Sequence, residues 1–179
     1  ANGFTNTARI LLGNGAGGFD PSTGPPIAVG DGPSDVVATD LNADGNTDLA
    51  VAHSDSNDVR VLIGDGAGGF APGYSSRVGG SPEQVVTADL NGDGHVDLAL
   101  PVWQENWRIA VLLGDGAGRF APGPPVGIGV RHGTARIAFA DLNGDARRDV
   151  VVANSDSRAL SVRLGLGDGR FGSARSVPA

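Results

Sequence analysis

An internal repeat of about fifty residues constrains this 179-residue chain more than any other feature of its sequence. One phrase occurs four times, and its final phenylalanines, Phe19, Phe70, Phe120 and Phe171, are separated by steps of 51, 50 and 51 residues. The four copies read LLGNGAGGF, LIGDGAGGF, LLGDGAGRF and RLGLGDGRF. Because this period is in the range of propeller blades, we expect each repeat to be one supersecondary unit that stacks on its neighbours.

Each repeat has the pattern of four short β-strands. In the third copy the strand-like runs are EQVVTADL, VDLALPV, RIAVLLGDG and FAPGPPVGIG, and turn residues separate them. No segment shows a helical period of useful length. The sequence therefore predicts an all-β protein built from four-stranded blades of a β-propeller. A stack of β-hairpins in a solenoid or a sandwich is the alternative architecture.

The repeats divide the chain into one partial blade and three complete blades. The predicted bounds are 1–32 for the partial blade, which holds strands three and four, and then 33–80, 81–131 and 132–179. A closed ring usually needs more than three and a half blades. We therefore expect the chain to form about half of a seven-bladed ring, completed by another chain, by a further part of the same precursor or by a second copy.

A second phrase occurs three times and is rich in oxygen-bearing side chains. It reads DLNADGNTD from Asp40, DLNGDGHVD from Asp89 and DLNGDARRD from Asp141. Side chains at positions 1, 3, 5 and 9, with the backbone carbonyl of position 7, would offer the six to eight oxygens that calcium prefers. The candidate ligands are Asp40, Asn42, Asp44, Asn46 and Asp48; Asp89, Asn91, Asp93, His95 and Asp97; and Asp141, Asn143, Asp145, Arg147 and Asp149.

These loops are not EF-hands, which need a glutamate at position 12 and flanking helices, because Val51 and Leu100 stand at that position. Glycine at position 6 is expected to allow a positive φ. The third loop has Ala146 there, at a cost of about 1 kcal/mol, and cationic neighbours follow. We expect calcium to bind less tightly at this loop. A solvated turn without an ion is the alternative for all three loops.

The acidic turn, the GDGAGGF hairpin and the Ala-Pro pairs at 71–72 and 121–122 together resemble FG-GAP repeats, also grouped as VCBS-type repeats. The resemblance covers essentially the whole chain. It implies a calcium-binding propeller of the kind found in integrin α subunits and in related bacterial and fungal lectins. It also implies that calcium stabilises the fold, and that ligands bind on the face opposite the calcium loops or between blades.

The stretch LPVWQENWR at 100–108 is the most informative candidate for a ligand surface. It contains both tryptophans of the chain and is one residue longer than its counterparts. An exposed tryptophan beside amide and carboxylate groups can stack on a sugar ring and bind its hydroxyls. The alternative is that a tryptophan packs under the blade edge. The candidate ligand-binding residues are Trp103, Glu105, Asn106, Trp107, Arg131 and His132.

Composition limits the classes of function. The formal net charge is −7 and the chain has no lysine, which argues against a nucleic-acid partner. No apolar run approaches the roughly 18 residues of a membrane span. The chain has no cysteine, and we find no nucleophile motif or histidine cluster, so we expect no catalytic activity.

We therefore expect a secreted, calcium-stabilised module that recognises a carbohydrate or a protein. Calcium would take the place of disulfides, which suits an extracellular module because the ion is close to millimolar outside cells. Two alternatives remain open from the residues. One is a purely structural segment that assembles with another copy or chain, and the other is an accessory domain of a polysaccharide-active enzyme.

Overall fold

The protein is an all-β chain of short antiparallel strands, as predicted. The computed structural model describes residues 5–21, 26–128, 135–155 and 159–178. These residues include no helix long and apolar enough to cross a membrane. The strands are β1 (Thr7–Ala8), β2 (Leu11–Gly13), β3 (Phe19–Pro21), β4 (Ile27–Ala28), β5 (Pro33–Thr39), β6 (Asp48–His53), β7 (Asp58–Gly64), β8 (Phe70–Arg77), β9 (Ser81–Pro82), β10 (Val86–Ala88), β11 (Asp97–Trp103), β12 (Trp107–Gly114), β13 (Phe120–Pro122), β14 (Val126–Gly127), β15 (Ala135–Ala140), β16 (Asp149–Asn154), β17 (Ala159–Arg163) and β18 (Arg175–Pro178).

The strands form sheets that follow the sequence repeat. The second unit is the sheet β5-β6-β7-β8, and the fourth is β15-β16-β17-β18. The third unit has the order β10-β11-β12-β13, with β9 also paired to β11 and β14 also paired to β12, so its two outer strands are interrupted. The first unit consists of the pairs β2-β3 and β1-β4. Four strand positions therefore recur along the chain, and the first unit contributes the last two of them.

Both faces of the third sheet are apolar because this sheet lies between two others. Side chains of adjacent strand residues point to opposite faces. In β11, Leu98 and Leu100 pack with the alanines and valines of β6 and β7, whereas Ala99 packs with the valines of β16. This arrangement explains why β11 is a nearly continuous apolar run rather than an alternating pattern.

Polar contacts also tie neighbouring units together. His53, which is fully buried, places Nε2 2.7 Å from the Val29 carbonyl oxygen of the first unit. Its Nδ1 lies 2.9 Å from Asp58 Oδ1. Between the third and fourth units, the Gln84 amide accepts from the Ile137 N–H at 2.9 Å and donates to the Ile137 carbonyl at 3.3 Å. Each sheet is thus bonded to the next as well as packed against it.

Candidate calcium-binding loops and ligand surface

The three Asp-rich loops connect the first and second strands of each complete sheet. The first follows β5 and precedes β6, the second lies between β10 and β11, and the third lies between β15 and β16. Each therefore joins two adjacent antiparallel strands. The loops occupy equivalent places in their sheets.

Side-chain oxygens bend each loop by accepting backbone N–H groups. In the first loop Asp40 Oδ2 accepts from Gly45 at 2.8 Å, and Asp44 Oδ1 accepts from Asn46 at 2.7 Å. Asn42 Oδ1 accepts from the Asp44 N–H, and its Nδ2 donates to Asp44 Oδ2 at 2.9 Å. The other loops repeat these bonds. The side chains at positions 1, 3 and 5 are therefore held close to one another.

Two positions of every loop have positive φ. Position 6 has φ of 85° at Gly45, 85° at Gly94 and 66° at Ala146. This confirms the expected bend and shows that the third loop adopts it with a Cβ present. Position 4 is also left-handed, with Ala43 at φ 60° in the first loop and glycine in the other two. This second requirement was not predicted from the sequence.

The aspartate at position 9 is fully buried and joins the loop to the hairpin of the same sheet. Asp97 Oδ2 accepts from the Leu90 N–H at 2.8 Å, and its Oδ1 accepts from the Gly114 N–H at 2.8 Å. Asp48 and Asp149 make the equivalent pairs of bonds. A Cβ at Gly114 would overlap the Val96 carbonyl oxygen, so glycine is required where loop and hairpin meet. The sequence pattern predicted a metal-ligand role for these aspartates and gave no sign of these two hydrogen bonds.

The electrostatics of the second loop differ between its exposed and buried carboxyls. The His95 backbone N–H lowers the pKa of Asp93 below its usual range. Burial raises the pKa of Asp97, and the nearby charges of Asp93 and Asp89 raise it further. The Gly114 and Leu90 N–H donors lower this pKa, but burial is the largest effect. The second loop therefore places the exposed carboxylates of Asp89 and Asp93 beside a buried carboxyl whose charged form is disfavoured.

The donor set of these loops has the chemistry of a hard-cation site. Each loop offers carboxylate and amide oxygens, the ligand type that calcium prefers. Within the described residues, no group of three or more His, Cys, Asp or Glu side chains is arranged to hold a metal ion. The loop oxygens instead accept backbone N–H groups, although each oxygen has a second lone pair. The chemistry of the ligands fits calcium, and binding of the ion remains a prediction.

The predicted tryptophan surface lies on the hairpin between β11 and β12. Trp103 and Trp107 are opposite each other in register, with ring centroids 5.5 Å apart and ring planes at 50°. Trp107 is only 3% exposed and belongs to the core shared with the fourth sheet. Its indole therefore offers no stacking surface. Trp103 is partly buried, whereas Glu105 and Asn106 are exposed.

The remaining predicted ligand residues, Arg131 and His132, lie outside the described residues.

A different concave site is visible where the first unit meets the second sheet. It is a groove of about 260 Å³ lined by residues of both units, among them Val29, Asp58, Arg60, Tyr74 and Ser75. Arg60 Nε lies 3.3 Å from Asp58 Oδ2 at this groove. The sequence pattern did not predict this groove, because its lining comes from strands that are distant in sequence.

The stacked antiparallel sheets, each with an Asp-rich loop between its first two strands, define a β-repeat protein. The model of the FG-GAP-like repeat family matches residues 40–100 and 102–152, which is more than half of the chain. The chain belongs to this family, and the resemblance stated from its motifs is confirmed. No curated protein matches the sequence significantly.

A solved structure with a similar fold is that of a lectin from Agrocybe aegerita. Its title describes specific recognition of non-reducing terminal N-acetylglucosamine. The TM-score is 0.66 at 22% sequence identity, and the match covers 96% of this chain and 46% of the lectin chain. The chain therefore spans less than half the length of this structural neighbour.

Proposed function

We propose that this chain is a secreted, non-catalytic binding module that recognises a carbohydrate. The observation that supports it most directly is the similarity of nearly the whole chain to a lectin that recognises a terminal N-acetylglucosamine. The alternative ligand for this binding module is a protein.

The proposed architecture is a propeller segment of about three and a half blades. The three sheets that have all four strand positions would be complete blades, and the pairs β2-β3 and β1-β4 would be the outer half of a fourth. The recurrence of four strand positions and the packing of each described sheet against the next support this proposal. The complete ring would have about seven blades, within the range of known propellers.

Calcium is the proposed cofactor, and its role would be structural. The side chains at positions 1, 3, 5 and 9 of each loop, with the carbonyl of position 7, would hold it. A bound dication would add positive charge beside the loop carboxylates, and this compensation matters most at the buried Asp97, whose pKa is raised by burial and by its acidic neighbours. We propose weaker binding at the third loop, because Ala146 and two arginines stand there.

The groove between the first and second units is the proposed carbohydrate site. Asp58 and Arg60 offer an acceptor and a donor for sugar hydroxyls, and the Tyr74 ring lies in the same lining. Such a combination of a few polar groups with an aromatic ring is typical of small-ligand sites. Trp103 with Glu105 and Asn106 forms a second, flatter candidate surface on the β11–β12 hairpin.

A glycan array with the 179-residue chain in calcium tests the proposal. Binding to one glycan class is expected, with Arg60→Ala reducing it if the groove is used and Trp103→Ala reducing it if the hairpin is used. Arg170→Ala is the control, because Arg170 is exposed on a different hairpin, where it lies 3.8 Å from Asp168. A blank array from protein with an intact β-sheet circular dichroism spectrum would contradict carbohydrate recognition.

A purely structural role is the second candidate function. It is favoured by Trp107, whose burial in the core removes one predicted ligand residue from the surface. In that case the chain would contribute packing surfaces to a larger assembly and bind no glycan.

A further inference from the structure

A small cleft opens between the second and third Asp-rich loops, where the third unit meets the fourth. It has a volume of about 120 Å³, and its lining includes Asp89 and Gly92 of the second loop, Arg147 and Arg148 of the third loop, and Gly167 of the fourth hairpin. We call it the arginine cleft. Small-molecule sites usually measure about 300–1,000 Å³, so this cleft has room for one functional group of a ligand and not for a whole ligand.

Contacts between the two units fix the walls of the arginine cleft. The Gly169 N–H of the fourth hairpin donates to the Leu90 carbonyl oxygen of the second loop at 3.0 Å. The Arg147 side chain lies over the same hairpin, because a Cβ added at Gly167 would come within 3.1 Å of Arg147 Nε. The cleft is therefore held open by bonded parts of both units.

The two guanidinium groups of the cleft are available to a ligand. Arg147 and Arg148 are both exposed. The Arg147 backbone N–H donates to Asp145 Oδ1 at 2.9 Å, but neither guanidinium forms a hydrogen bond or an ion pair with another described residue. Two adjacent groups of N–H donors therefore line the cleft without protein acceptors in the described part of the chain.

Positive charge exceeds negative charge in the lining of the cleft. Among the described residues that line it, Asp89 is the one acidic side chain beside the two arginines. The Asp89 carboxylate is turned onto its own loop, where Oδ1 accepts from the Gly92 N–H at 2.7 Å and Oδ2 accepts from the Gly94 N–H at 3.0 Å. A basic cleft is thus present in a chain whose formal net charge is −7.

The other two Asp-rich loops lack these arginines. At the positions of Arg147 and Arg148, the first loop has Asn46 and Thr47, and the second loop has His95 and Val96. Val96 packs against the apolar core between the second and third units. The third loop therefore places a cation where its counterpart contributes to packing, and the backbone of the loop does not require it.

The fourth hairpin also lacks the carboxylate that would neutralise the cleft. The second and third hairpins have Asp65 and Asp115 directly before their first glycine, whereas Leu166 stands there in the fourth. Asp168 of the fourth hairpin is occupied by Arg170, whose N–H it accepts at 3.1 Å and whose Nε lies 3.8 Å away. The fourth repeat thus gains two cations and loses an adjacent anion at the same place.

We propose that the arginine cleft binds the acidic group, a carboxylate or a sulfate, of an acidic glycan. Arginine presents a planar fork of N–H donors that matches the paired oxygens of such groups. The inference rests on the proposed carbohydrate recognition, which favours a glycan over an acidic peptide, and it adds the class of the glycan. The cleft is a second contact besides the groove near Arg60, since it lies at a different junction.

Isothermal titration calorimetry of the 179-residue chain with two hexasaccharides tests the inference. Hyaluronan hexasaccharide carries a carboxylate on every second sugar, whereas chitohexaose consists of neutral N-acetylglucosamine. We expect hyaluronan hexasaccharide to bind at least about tenfold more tightly, which one charge-assisted hydrogen bond can supply. A chondroitin sulfate hexasaccharide, compared with its desulfated form, distinguishes sulfate from carboxylate as the preferred group.

The double variant Arg147→Asn, Arg148→Thr gives the third loop the residues of the first loop, so we expect it to fold. It should bind the two hexasaccharides with equal affinity, and Arg148→Val, which takes the residue of the second loop, should lose part of the preference. Arg119→Gly is the matched control and should keep the preference. It removes an exposed guanidinium outside the cleft and takes the residue found at position 69.

Circular dichroism of each variant checks that it is folded. The inference is overturned if hyaluronan hexasaccharide binds no more tightly than chitohexaose, or if its preference survives in folded double variant or folded Arg148→Val. Either result leaves carbohydrate recognition to be decided by the glycan array. A glutamate-rich peptide that binds through the same two arginines, together with a blank glycan array, would overturn both this inference and carbohydrate recognition.

Discussion

At the scale of single residues, the buried aspartates at position 9 have a structural role that does not depend on any ion. Asp48, Asp97 and Asp149 are each fully buried and each accept two backbone N–H groups, one from their own loop and one from the neighbouring hairpin. A buried amide left without an acceptor costs about 1–3 kcal/mol. These side chains therefore hold loop and hairpin together even in chelated protein.

Asp97→Ala in EDTA is expected to lower the free energy of unfolding by about 2–4 kcal/mol, because it leaves the buried Leu90 and Gly114 N–H groups without an acceptor. Urea unfolding followed by circular dichroism measures this change. Asp93→Ala is the control, since Asp93 is exposed and bonds only within its loop. Equal losses for the two variants in EDTA would contradict the structural role of Asp97.

Ala146→Gly is expected to stabilise the third loop by about 1 kcal/mol, because Ala146 has φ 66° and a left-handed alanine is strained by about that amount. Gly94→Ala at the same position of the second loop should destabilise to a similar extent. The added Cβ at Gly94 would meet no atom within 4 Å, so backbone strain is the cause. Thermal unfolding midpoints in EDTA measure both changes, and a midpoint lowered by Ala146→Gly would contradict the assignment.

Lowering the pH should destabilise the hairpin turns, because it protonates the carboxylates of Asp65 and Asp115, which accept backbone N–H groups there. Backbone N–H donors, the Ala67 amide foremost for Asp65 and the Ala117 amide for Asp115, lower the pKa of these carboxyls below the ordinary value of 3.8. A lowered folded-state pKa means that the stabilisation is complete above the ordinary value and is lost as the pH falls through the folded-state pKa.

Asp65→Asn should therefore lose less stability than wild type between pH 7 and about pH 3. The first hairpin supplies a natural precedent, because Asn14 Oδ1 accepts the Ala16 and Gly18 N–H groups, both at 3.0 Å, without a titrating group. The free energy of unfolding of both proteins at the two pH values measures the effect. Identical losses would show that the Asp65 carboxyl does not contribute.

At the scale of elements, each Asp-rich loop rests on the hairpin of its own sheet. The side chain at position 7 lies over the first glycine of the hairpin turn, as His95 does over Gly116. The fourth hairpin shows that the turn tolerates change. Leu166 stands where the others have Asp or Asn, and Asp168 accepts the Arg170 N–H instead.

Trp107→Ala is expected to destabilise the protein by about 3–5 kcal/mol, because this buried indole fills the core between the third and fourth sheets. Trp103→Ala should cost less, since Trp103 is partly buried. Urea unfolding of both variants measures the difference. If Trp103→Ala cost as much as Trp107→Ala, the assignment of the two indoles would be wrong.

The sequence predicted the strands and turns well, because short apolar, β-branched runs and glycine turns are local signals that recur in every repeat. It also placed the Asp-rich loops between adjacent strands. It gave burial under the blade edge as the alternative for either tryptophan but did not predict that Trp107 is the buried one, since the face on which each indole lies depends on the register of β11 with β12. Nor did it predict the role of His53, whose partner Val29 is 24 residues away in the preceding unit.

At the scale of the whole molecule, stability depends on contacts between neighbouring units. Apolar clusters lie at each junction between consecutive units, and buried polar ties such as His53 accompany them. In a repeat protein of this kind the stability is approximately a sum of terms for each unit and each junction. An ion bound at one loop would therefore add to the stability term of that unit, and so to the stability of the whole molecule.

The measurement that tests the calcium-stabilised fold most directly is the thermal unfolding midpoint of EDTA-treated protein during a calcium titration. Binding to the folded state alone should raise the midpoint progressively with calcium concentration. Asp93→Asn should weaken this response, and magnesium at equal concentration should reproduce little of it. Superimposable unfolding curves in EDTA and in millimolar calcium would contradict the account, and the loops would then be turns held by their backbone hydrogen bonds alone.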